Sequence, residues 1–490
     1  MANTLEHTMG VASCSTAHMV KYSVGECANS LLMNSLFGFA MLYYTDALGL
    51  RHADAGIAMA VAVFWDAITD PVMGHITDNT RSRYGRRHPY ILLGGIGVVA
   101  AYVFLWFVPD VFKASTQTLF WYLVGINLLQ RTGITVLYIP YTALGFEMCS
   151  DYGGRVKLQG IRSAMNMLAN VLGPGLAWTV FFSHNEVVRA TSVSENYVRM
   201  GLSFAAVSLF CILFVVIATR GHIRDSRGLE TTGRSFGGFF RNMKEILLDA
   251  YPRHAFVFIV IVTIGIALVS SLQMYLYEHF MRFGGIEKSV VHGGSMVGFG
   301  VGALAASFLT RKLDKKGAVI FAGLLTVGCN GVLAALFLPA FLIPGQSATV
   351  SSVVIPYAFI VFAFFHGLYW LGNGIIFPTS LSMMADVSEV HELRTGINKD
   401  GAYAAVYSFA HKAAISLAVL LSGYILTSIG FEAGKEVVQG PDTVWRLCAV
   451  TLLVGPMISL VSLGVIRRYA VTNELLCRLR SERAEKLLSG

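Results

Sequence analysis

The sequence predicts an all-α integral membrane protein whose twelve transmembrane helices form two six-helix halves. Three observations support this fold class. Of the 490 residues, 55% are hydrophobic and only 13% are charged, whereas soluble domains carry about 25% charged residues. The mean hydropathy is +0.61, and many apolar runs reach the roughly 20 residues that a bilayer requires. The Lys and Arg residues lie mostly in the short segments between these runs, where they set topology.

The first half of the chain contains six apolar runs. The segment between Gly74 and Pro89 holds four arginines, which places it in the cytoplasm because loops rich in Lys and Arg stay on that side. This assignment fixes the direction of the helices before and after it. We expect transmembrane helices at about residues 23–44, 56–76, 90–108, 119–146, 158–182 and 200–219.

The second half repeats this arrangement. A second basic segment, residues 311–317, follows the second helix of its half, as the Arg-rich segment does in the first half, and paired halves of this kind are typical of transporters. We expect helices at about residues 255–277, 290–309, 318–338, 353–385, 403–429 and 444–466. The predicted domains are an N-terminal six-helix bundle (1–220), a central cytoplasmic loop (221–253), a C-terminal six-helix bundle (254–466) and a cytoplasmic tail (467–490).

Composition also excludes several classes of function. The net charge of +8 is spread over short loops, so it does not predict nucleic-acid binding, and the seven cysteines are scattered singly. The sequence shows no nucleophile–base pair, metal cluster or phosphate loop, so we expect neither an enzyme nor a cofactor. The expected partners are a small-molecule substrate and membrane lipid. We expect a monomer in the plasma (inner) membrane, with both termini in the cytoplasm.

One stretch of the second helix, from Trp65 to Pro71, carries the chemistry. Asp66 and Asp70 are four residues apart, so both project from one helical face, and Thr69 lies beside them. An acid in hydrocarbon costs at least roughly 2.5–3.5 kcal/mol, so such residues mark ion or proton paths. Two carboxylates and a hydroxyl suit a hard monovalent cation, which predicts a cation site here.

The segment after this helix contains a pattern of glycines, an acid and arginines: Gly74, Asp78, Gly85, Arg86 and Arg87. The pattern resembles the loop signature of the major facilitator superfamily. The longer run from Trp65 to Arg87 is similar to one branch, the glycoside–pentoside–hexuronide:cation symporters. The resemblance implies the major facilitator fold, with two bundles around a central cavity, and transport by alternating access. We expect the loop residues to latch the cytoplasmic ends of the helices.

The resemblance also implies a set of cation ligands. Carried over by position, they are Asp66, Thr69, Asp70 and Thr135, with sodium or a proton as the coupling ion. Other interpretations stay open, because the acids can form structural ion pairs with Arg162 or Lys412. A hydroxyl such as that of Thr135 can also bond back to its own helix.

The expected substrate residues show both matches and departures. Arg162 and Lys412 match basic residues that the family places beside the substrate and facing the carboxylates. Ser30 and Tyr138 stand where the melibiose carrier, the type member, has two aspartates for sugar hydroxyls, and Phe377 stands in place of a tryptophan. Carboxylate–hydroxyl bonds are strong, so their loss argues against a neutral galactoside recognised in the same way.

Arg131 has no role in the family pattern. It precedes Thr135 by four residues and Tyr138 by seven, so the three share a helical face. One hypothesis is that Arg131 and Arg162 clamp an anionic group of the substrate, because guanidinium groups fit carboxylates. The alternative is that Arg131 pairs with Glu26 or another internal acid.

These observations together predict a cation-coupled symporter of a small organic solute. The candidate substrates are a glycoside, a uronide or another organic anion. Two alternatives stay open: a carrier of an amphiphile such as a lysolipid, and a membrane sensor that has the same fold without transport.

Overall fold

The computed structural model describes residues 15–148, 152–182, 190–223, 250–350, 353–395, 400–434, 437–469, 471, 474–479 and 481–482. The predicted central loop and the tail lie mostly outside the described residues, so both stay predictions. The first half holds six long helices: α1 (Gly25–Leu42), α2 (His52–Asp78), α3 (His88–Trp106), α4 (Thr116–Met148), α5 (Tyr152–Leu176) and α6 (Ser194–Ala218).

Short elements extend or connect these helices. A helix at Thr16–Ser23 precedes α1, and π-helical turns continue α1 through Tyr43–Ala47 and α5 through Ala177–Phe181. Three short 3₁₀ turns occupy Asp110–Lys113, Ala190–Ser192 and Arg220–His222.

The second half begins with α7 (Ala250–Tyr275), which ends in a π-helical turn at Leu276–Phe280. One helical segment, Gly285–Phe337, then contains both α8 and α9, because Asp314 has non-helical backbone angles (φ 57°, ψ 167°) and divides it. A small antiparallel hairpin follows, with strands β1 (Ala348–Val350) and β2 (Val353–Ile355). The remaining helices are α10 (Tyr357–Thr395), α11 (Asp400–Ser428) and α12 (Pro441–Ala449 and Gly455–Ile466, joined by the π-helical turn Val450–Val454).

The described residues thus contain the twelve long helices that the sequence predicts. Eight helical segments within them are long and apolar enough to cross a membrane, and one of these is the 53-residue segment that holds α8 and α9. The long helices outside this apolar set are α1, α4 and α5. They are also the helices that carry most of the polar side chains described below, which lowers their mean hydropathy.

The predicted boundaries of α10 are wrong at both ends. We expected this helix at about residues 353–385, but residues 353–355 form β2 and the helix continues to Thr395. No Gly or Pro interrupts the sequence between Asp386 and Thr395, so nothing local ends the helix there. The charged residues extend the helix as a polar end.

The chain divides into two compact units. One consists of the described residues of 1–50 and 68–233, and the other of the described residues of 51–67 and 234–490. The boundary therefore crosses α2 between Ala67 and Ile68, at the Trp65–Pro71 stretch. The division into bundles at 1–220 and 254–466 stays a prediction.

Glycines allow unusually close helix contacts in the second unit, between α8 and α10. A Cβ atom on Gly302 would lie 2.0 Å from the carbonyl oxygen of Leu371, and one on Gly374 would lie 2.0 Å from that of Phe299. Small residues at such crossings let helix backbones touch, which is a common way of packing helices in membranes. The two backbones therefore leave no room for a side chain at these positions.

In the first unit, a pair of tyrosines joins the segment before α1 to α4. The Tyr22 hydroxyl donates to the carbonyl of Tyr141 at 2.5 Å, and the Tyr141 hydroxyl donates to the carbonyl of Tyr22 at 3.0 Å. Their rings stack at 4.5 Å between centroids. A Cβ atom on Gly25 would lie 2.6 Å from the Tyr141 ring. This contact fixes the register in which the next residue, Glu26, faces α4.

Candidate functional site

Three of the four predicted cation ligands lie together in the first unit. The Thr135 hydroxyl of α4 donates to Asp70 Oδ1 at 2.7 Å, and its oxygen lies 3.3 Å from the Thr69 hydroxyl. Thr135 is buried, and Thr69 and Asp70 are half-buried. Thr135 therefore reaches from α4 to α2, and its role as a cation ligand stays a prediction. The arrangement presents a carboxylate and two hydroxyl oxygens, which are the ligand types that hard cations prefer.

The fourth predicted ligand, Asp66, has a basic neighbour in the second unit. Asp66 is only 4% exposed, and its Oδ2 lies 3.6 Å from the Lys412 Nζ of α11. The ion pair that the sequence left open thus forms with Lys412. Because α2 is continuous, Asp66 lies one turn from Asp70. Whether all four residues bind one cation stays a prediction.

The first part of α2 packs closely on α11 next to this pair. The Ser416 hydroxyl donates to the carbonyl of Ala60 at 2.7 Å. A Cβ atom on Gly56 would lie 3.0 Å from the Cα of Gly423. Both contacts place the α2 backbone against α11 at small residues, which holds Lys412 within reach of Asp66.

Arg162 forms a buried ion pair with Glu26 in the first unit. Its Nη2 lies 2.5 Å from Glu26 Oε1, and its Nε donates to the same oxygen at 2.7 Å. The two side chains are 5% and 4% exposed. Tyr138 lies beside the pair, accepting from Arg162 at 3.4 Å and donating to Glu26 at 3.4 Å. The predicted substrate residues Arg162 and Tyr138 therefore meet around an acid that sequence reasoning did not assign to the site.

A ladder of amides continues from this pair between α1 and α5. Asn166 donates to Glu26 at 3.5 Å, Asn170 donates to Asn166 at 2.8 Å, and Asn34 donates to Asn170. Asn34 also donates at 2.8 Å to the hydroxyl of Ser30, another predicted substrate residue. The sequence signal for this ladder is the i, i+4 spacing of Asn166 and Asn170, and of Ser30 and Asn34, within membrane helices.

Arg131 lies one helical turn before Thr135 on α4. It is 2% exposed, and its guanidinium carbon stands 4.8 Å above the ring centroid of Phe37 on α1. Such cation–π contacts stabilise a desolvated arginine. Glu26, which we considered as a partner of Arg131, pairs with Arg162 instead. The clamp of Arg131 and Arg162 on an anionic group stays a prediction.

The last predicted substrate residue, Phe377, lies on α10 in the second unit. Its side chain is exposed, and its ring contacts those of His411 at 5.4 Å and Phe299 at 6.3 Å between centroids. His411 precedes Lys412 on α11. Phe377 is thus near the helix that supplies Lys412, and its role in substrate binding stays a prediction.

The predicted gating loop is held by an acid at the end of α4. Arg86 and Arg87 both contact Glu147 Oε1, at 2.8 and 2.9 Å. Arg87 also donates to the Thr77 hydroxyl at 2.6 Å, and this hydroxyl donates to the carbonyl of Gly74. The loop therefore ties the end of α2 to the end of α4 within the first unit. Sequence reasoning did not identify Glu147.

The other residues of the loop pattern have separate places. Gly85 adopts φ 75°, a left-handed conformation that glycine adopts without strain, so the chain turns there before α3. Asp78 is the last residue of α2, and its side chain lies outside the described residues. Its predicted latch role stays a prediction.

The second basic segment makes a similar contact in the second unit. Lys315 donates to both carboxylate oxygens of Asp386 at 2.6 Å. Lys315 follows the second helix of its half, and Asp386 lies near the end of the fourth, as do Arg87 and Glu147 in theirs. The repeat that the sequence shows thus extends to a charge pair in each half.

Comparison with known proteins identifies the family. The family model described as MFS/sugar transport protein matches residues 21–473. The chain belongs to this family. It is a multi-pass membrane transporter with the major facilitator fold and not an enzyme, as the sequence predicts.

Individual relatives agree with this assignment. The inner membrane symporter YicJ of Escherichia coli is 25% identical, with 93% of this chain and 92% of the relative covered. The glucuronide carrier protein homolog of the same organism is 22% identical, with 93% of each covered. The sodium-dependent lysophosphatidylcholine symporter 1 of Gallus gallus is 32% identical over 156 residues, 32% of this chain and 29% of the relative. The expected resemblance to glycoside–pentoside–hexuronide:cation symporters is confirmed.

Solved structures support the fold. The nucleoside transporter NupG superposes with a TM-score of 0.64 at 10% identity, covering 92% of this chain and 98% of that one. At this identity the likeness establishes the fold alone.

Proposed function

We propose that this protein is a cation-coupled symporter that carries a small, hydroxyl-bearing organic solute by alternating access. Entry of a cation at the acids of α2 would stabilise their charge and favour binding of the solute. Cation and solute then raise each other's affinity by the same factor, because coupling between two sites is reciprocal. One relative named as a symporter and another named as a glucuronide carrier protein homolog support this proposal.

The proposal rests on the burial and hydrogen bonding of the two acids of α2, Asp66 and Asp70. Asp66 is buried, and Asp70 accepts a hydrogen bond from a buried hydroxyl, that of Thr135. Carboxylates inside a membrane span are costly and mark ion pathways. The hydroxyls of Thr69 and Thr135 give Asp70 the oxygen-rich surroundings that a sodium ion or a transferred proton uses.

The polar ladder between α1 and α5 suggests the chemistry of the solute. Its amides and hydroxyls provide both donors and acceptors, which suits a sugar with several hydroxyl groups. The charge of Arg162 is already balanced by that of Glu26, so the ladder and this ion pair together carry little net charge. An uncharged glycoside therefore suits this polar ladder directly, whereas the carboxylate of a uronide requires a further positive group such as Arg131.

Topology and partners follow from the same reasoning. We propose that both termini and the loop containing Arg86 and Arg87 lie in the cytoplasm, since that loop is the most arginine-rich connection in the first half. The protein would act as a monomer in the plasma (inner) membrane, with lipid around it and no nucleic-acid partner. The coupling ion would be sodium or a proton.

Uptake by proteoliposomes tests the proposal. Purified protein is reconstituted, an inward sodium or proton gradient is imposed, and accumulation of labelled glycosides, uronides and lysophosphatidylcholine is measured. We expect gradient-dependent accumulation of a glycoside or uronide, and loss of it in the D66N/D70N variant. Asp110→Asn, at a side chain 97% exposed, is the matched control and should retain uptake.

The outcomes separate the alternatives. Accumulation of lysophosphatidylcholine alone would favour the amphiphile carrier. Binding of a solute without any accumulation would favour the sensor. Unchanged accumulation in the D66N/D70N variant would contradict cation coupling through α2.

A further inference from the structure

Two buried acids of the first two helices lie beside basic side chains. Glu26 contacts Arg162, and Asp66 lies 3.6 Å from Lys412. In each case a carboxylate that enters the protein interior lies beside a permanent or readily formed positive charge, which offsets part of its desolvation cost. Asp70 is the other acid of the Trp65–Pro71 stretch, and a nearby positive charge would offset the desolvation cost of its carboxylate in the same way.

Arg131 is the basic residue placed to supply it. It is the only Lys or Arg in the sequence of α4, residues 116–148, and it lies one turn from Thr135. Side chains four residues apart occupy the same helical face, and on this face the Thr135 hydroxyl donates to Asp70. Arg131 is therefore on the side of α4 that meets the second part of α2. An arginine stays protonated in proteins, so its charge is present at every working pH.

We infer that Arg131 is a built-in counter-charge for Asp70, which competes with the coupling cation and sets its affinity. The inference rests on the proposed function of the α2 acids as the cation site. Burial keeps the guanidinium away from water, and charges in such surroundings interact more strongly than on the surface. Phe37, whose ring faces the guanidinium at 4.8 Å, holds the group in place through a contact that adds no opposing net charge, since an aromatic ring is neutral.

The surroundings of Arg131 agree with a role in electrostatics. The side chains of its neighbours Asn127 and Gln130 are buried, and neither side-chain amide has a hydrogen-bond partner among the described residues. Burying two amides and an arginine within five residues of one helix costs desolvation free energy. The site next to these groups is formed by Thr135, one turn further along α4, and by Asp70 of α2, which accepts its hydrogen bond.

Sodium binding by purified variants tests the inference. The probe is sodium alone, at mildly alkaline pH, and the readout is the sodium-dependent rise in melting temperature. We expect weak sodium dependence in the wild type and at least about a tenfold lower half-saturating sodium concentration in Arg131→Gln, since a nearby charge changes binding by this factor or more. Arg131→Lys should behave as the wild type, and R131Q/D70N should lose the gain.

Arg199→Gln is the matched control. Arg199 pairs with Glu195 at the exposed start of α6, with both side chains about two-thirds exposed, so its loss should leave the sodium response unchanged. A sodium response in R131Q equal to that of the wild type would overturn the inference. So would a gain that persists in R131Q/D70N.

A stability cycle covers the case in which R131Q folds but is too unstable for a sodium titration. If Arg131 compensates Asp70, D70N and R131Q each lower the melting temperature, and the double variant recovers part of the loss. Additive losses would overturn the inference. The cycle requires no transport, so it separates this inference from the proposed function: coupled stabilities without gradient-driven uptake would count against the transporter assignment alone.

Discussion

Removing the charge of Glu26 should destabilise the first unit strongly. The Glu26–Arg162 pair is almost completely buried, and Glu26→Gln keeps the shape of the side chain while leaving the guanidinium without a compensating charge. Breaking a buried ion pair in this way costs about 3–5 kcal/mol. For a unit of this size, each kcal/mol lowers the melting temperature by roughly 2–4 °C, so we expect a decrease on the order of 6–20 °C.

Thermal unfolding in detergent measures this effect. Tryptophan fluorescence is a suitable signal, because Trp106 and Trp178 are buried in the first unit. Glu195→Gln breaks an exposed pair with Arg199 and is the matched control, since exposed pairs contribute about 0–1 kcal/mol. A melting temperature of E26Q within the shift of the control would refute the reasoning that the buried pair stabilises the fold.

Two further perturbations test other contacts of the structure. Thr135→Val removes the hydrogen bond to Asp70, and hydrogen bonds to charged groups contribute about 1.5–3 kcal/mol. The cation concentration for half-maximal uptake should therefore rise about tenfold or more in this variant, whereas Thr135→Ser, which keeps the hydroxyl, should keep the wild-type value. An unchanged value for the valine variant would exclude Thr135 as a cation ligand. Gly374→Ala places a Cβ atom 2.0 Å from the carbonyl oxygen of Phe299, so overpacking should lower stability by about 1–3 kcal/mol. Gly97→Ala, where an added Cβ atom would meet no other part of the described structure within 4 Å, should not lower the melting temperature. Equal melting temperatures for the two alanine variants would contradict the close contact of α8 and α10.

The fold and the chemical centre of α2 could be predicted because both depend on local sequence. Apolar runs define membrane helices, and the spacing of Asp66 and Asp70 fixes a shared helical face. The end of α10 could not be predicted in this way, because a polar helix beyond the membrane has no hydropathy signal and the charged residues after Asp386 resemble a loop.

The pairings between helices could not be predicted either. Arg162 and Glu26 are 136 residues apart, and nothing local distinguishes Glu26 from Asp66 or Asp70 as the partner of this arginine. Glu147 was missed for the same reason, because Arg86 and Arg87 reach it across 61 and 60 residues. Such contacts depend on which helices become neighbours, which the spacing of residues along one helix does not encode.

The charge pairs described above differ in how far salt can reach them. The Arg86–Glu147 and Lys315–Asp386 contacts are partly exposed, whereas the Glu26–Arg162 pair is enclosed. Dissolved salt screens exposed charges over a length of about 10 Å at 0.1 M ionic strength, so exposed ion pairs weaken as the salt concentration rises, whereas buried pairs are screened much less. Raising the ionic strength should therefore weaken the partly exposed ion pairs at the helix ends selectively, while the buried Glu26–Arg162 pair keeps its strength.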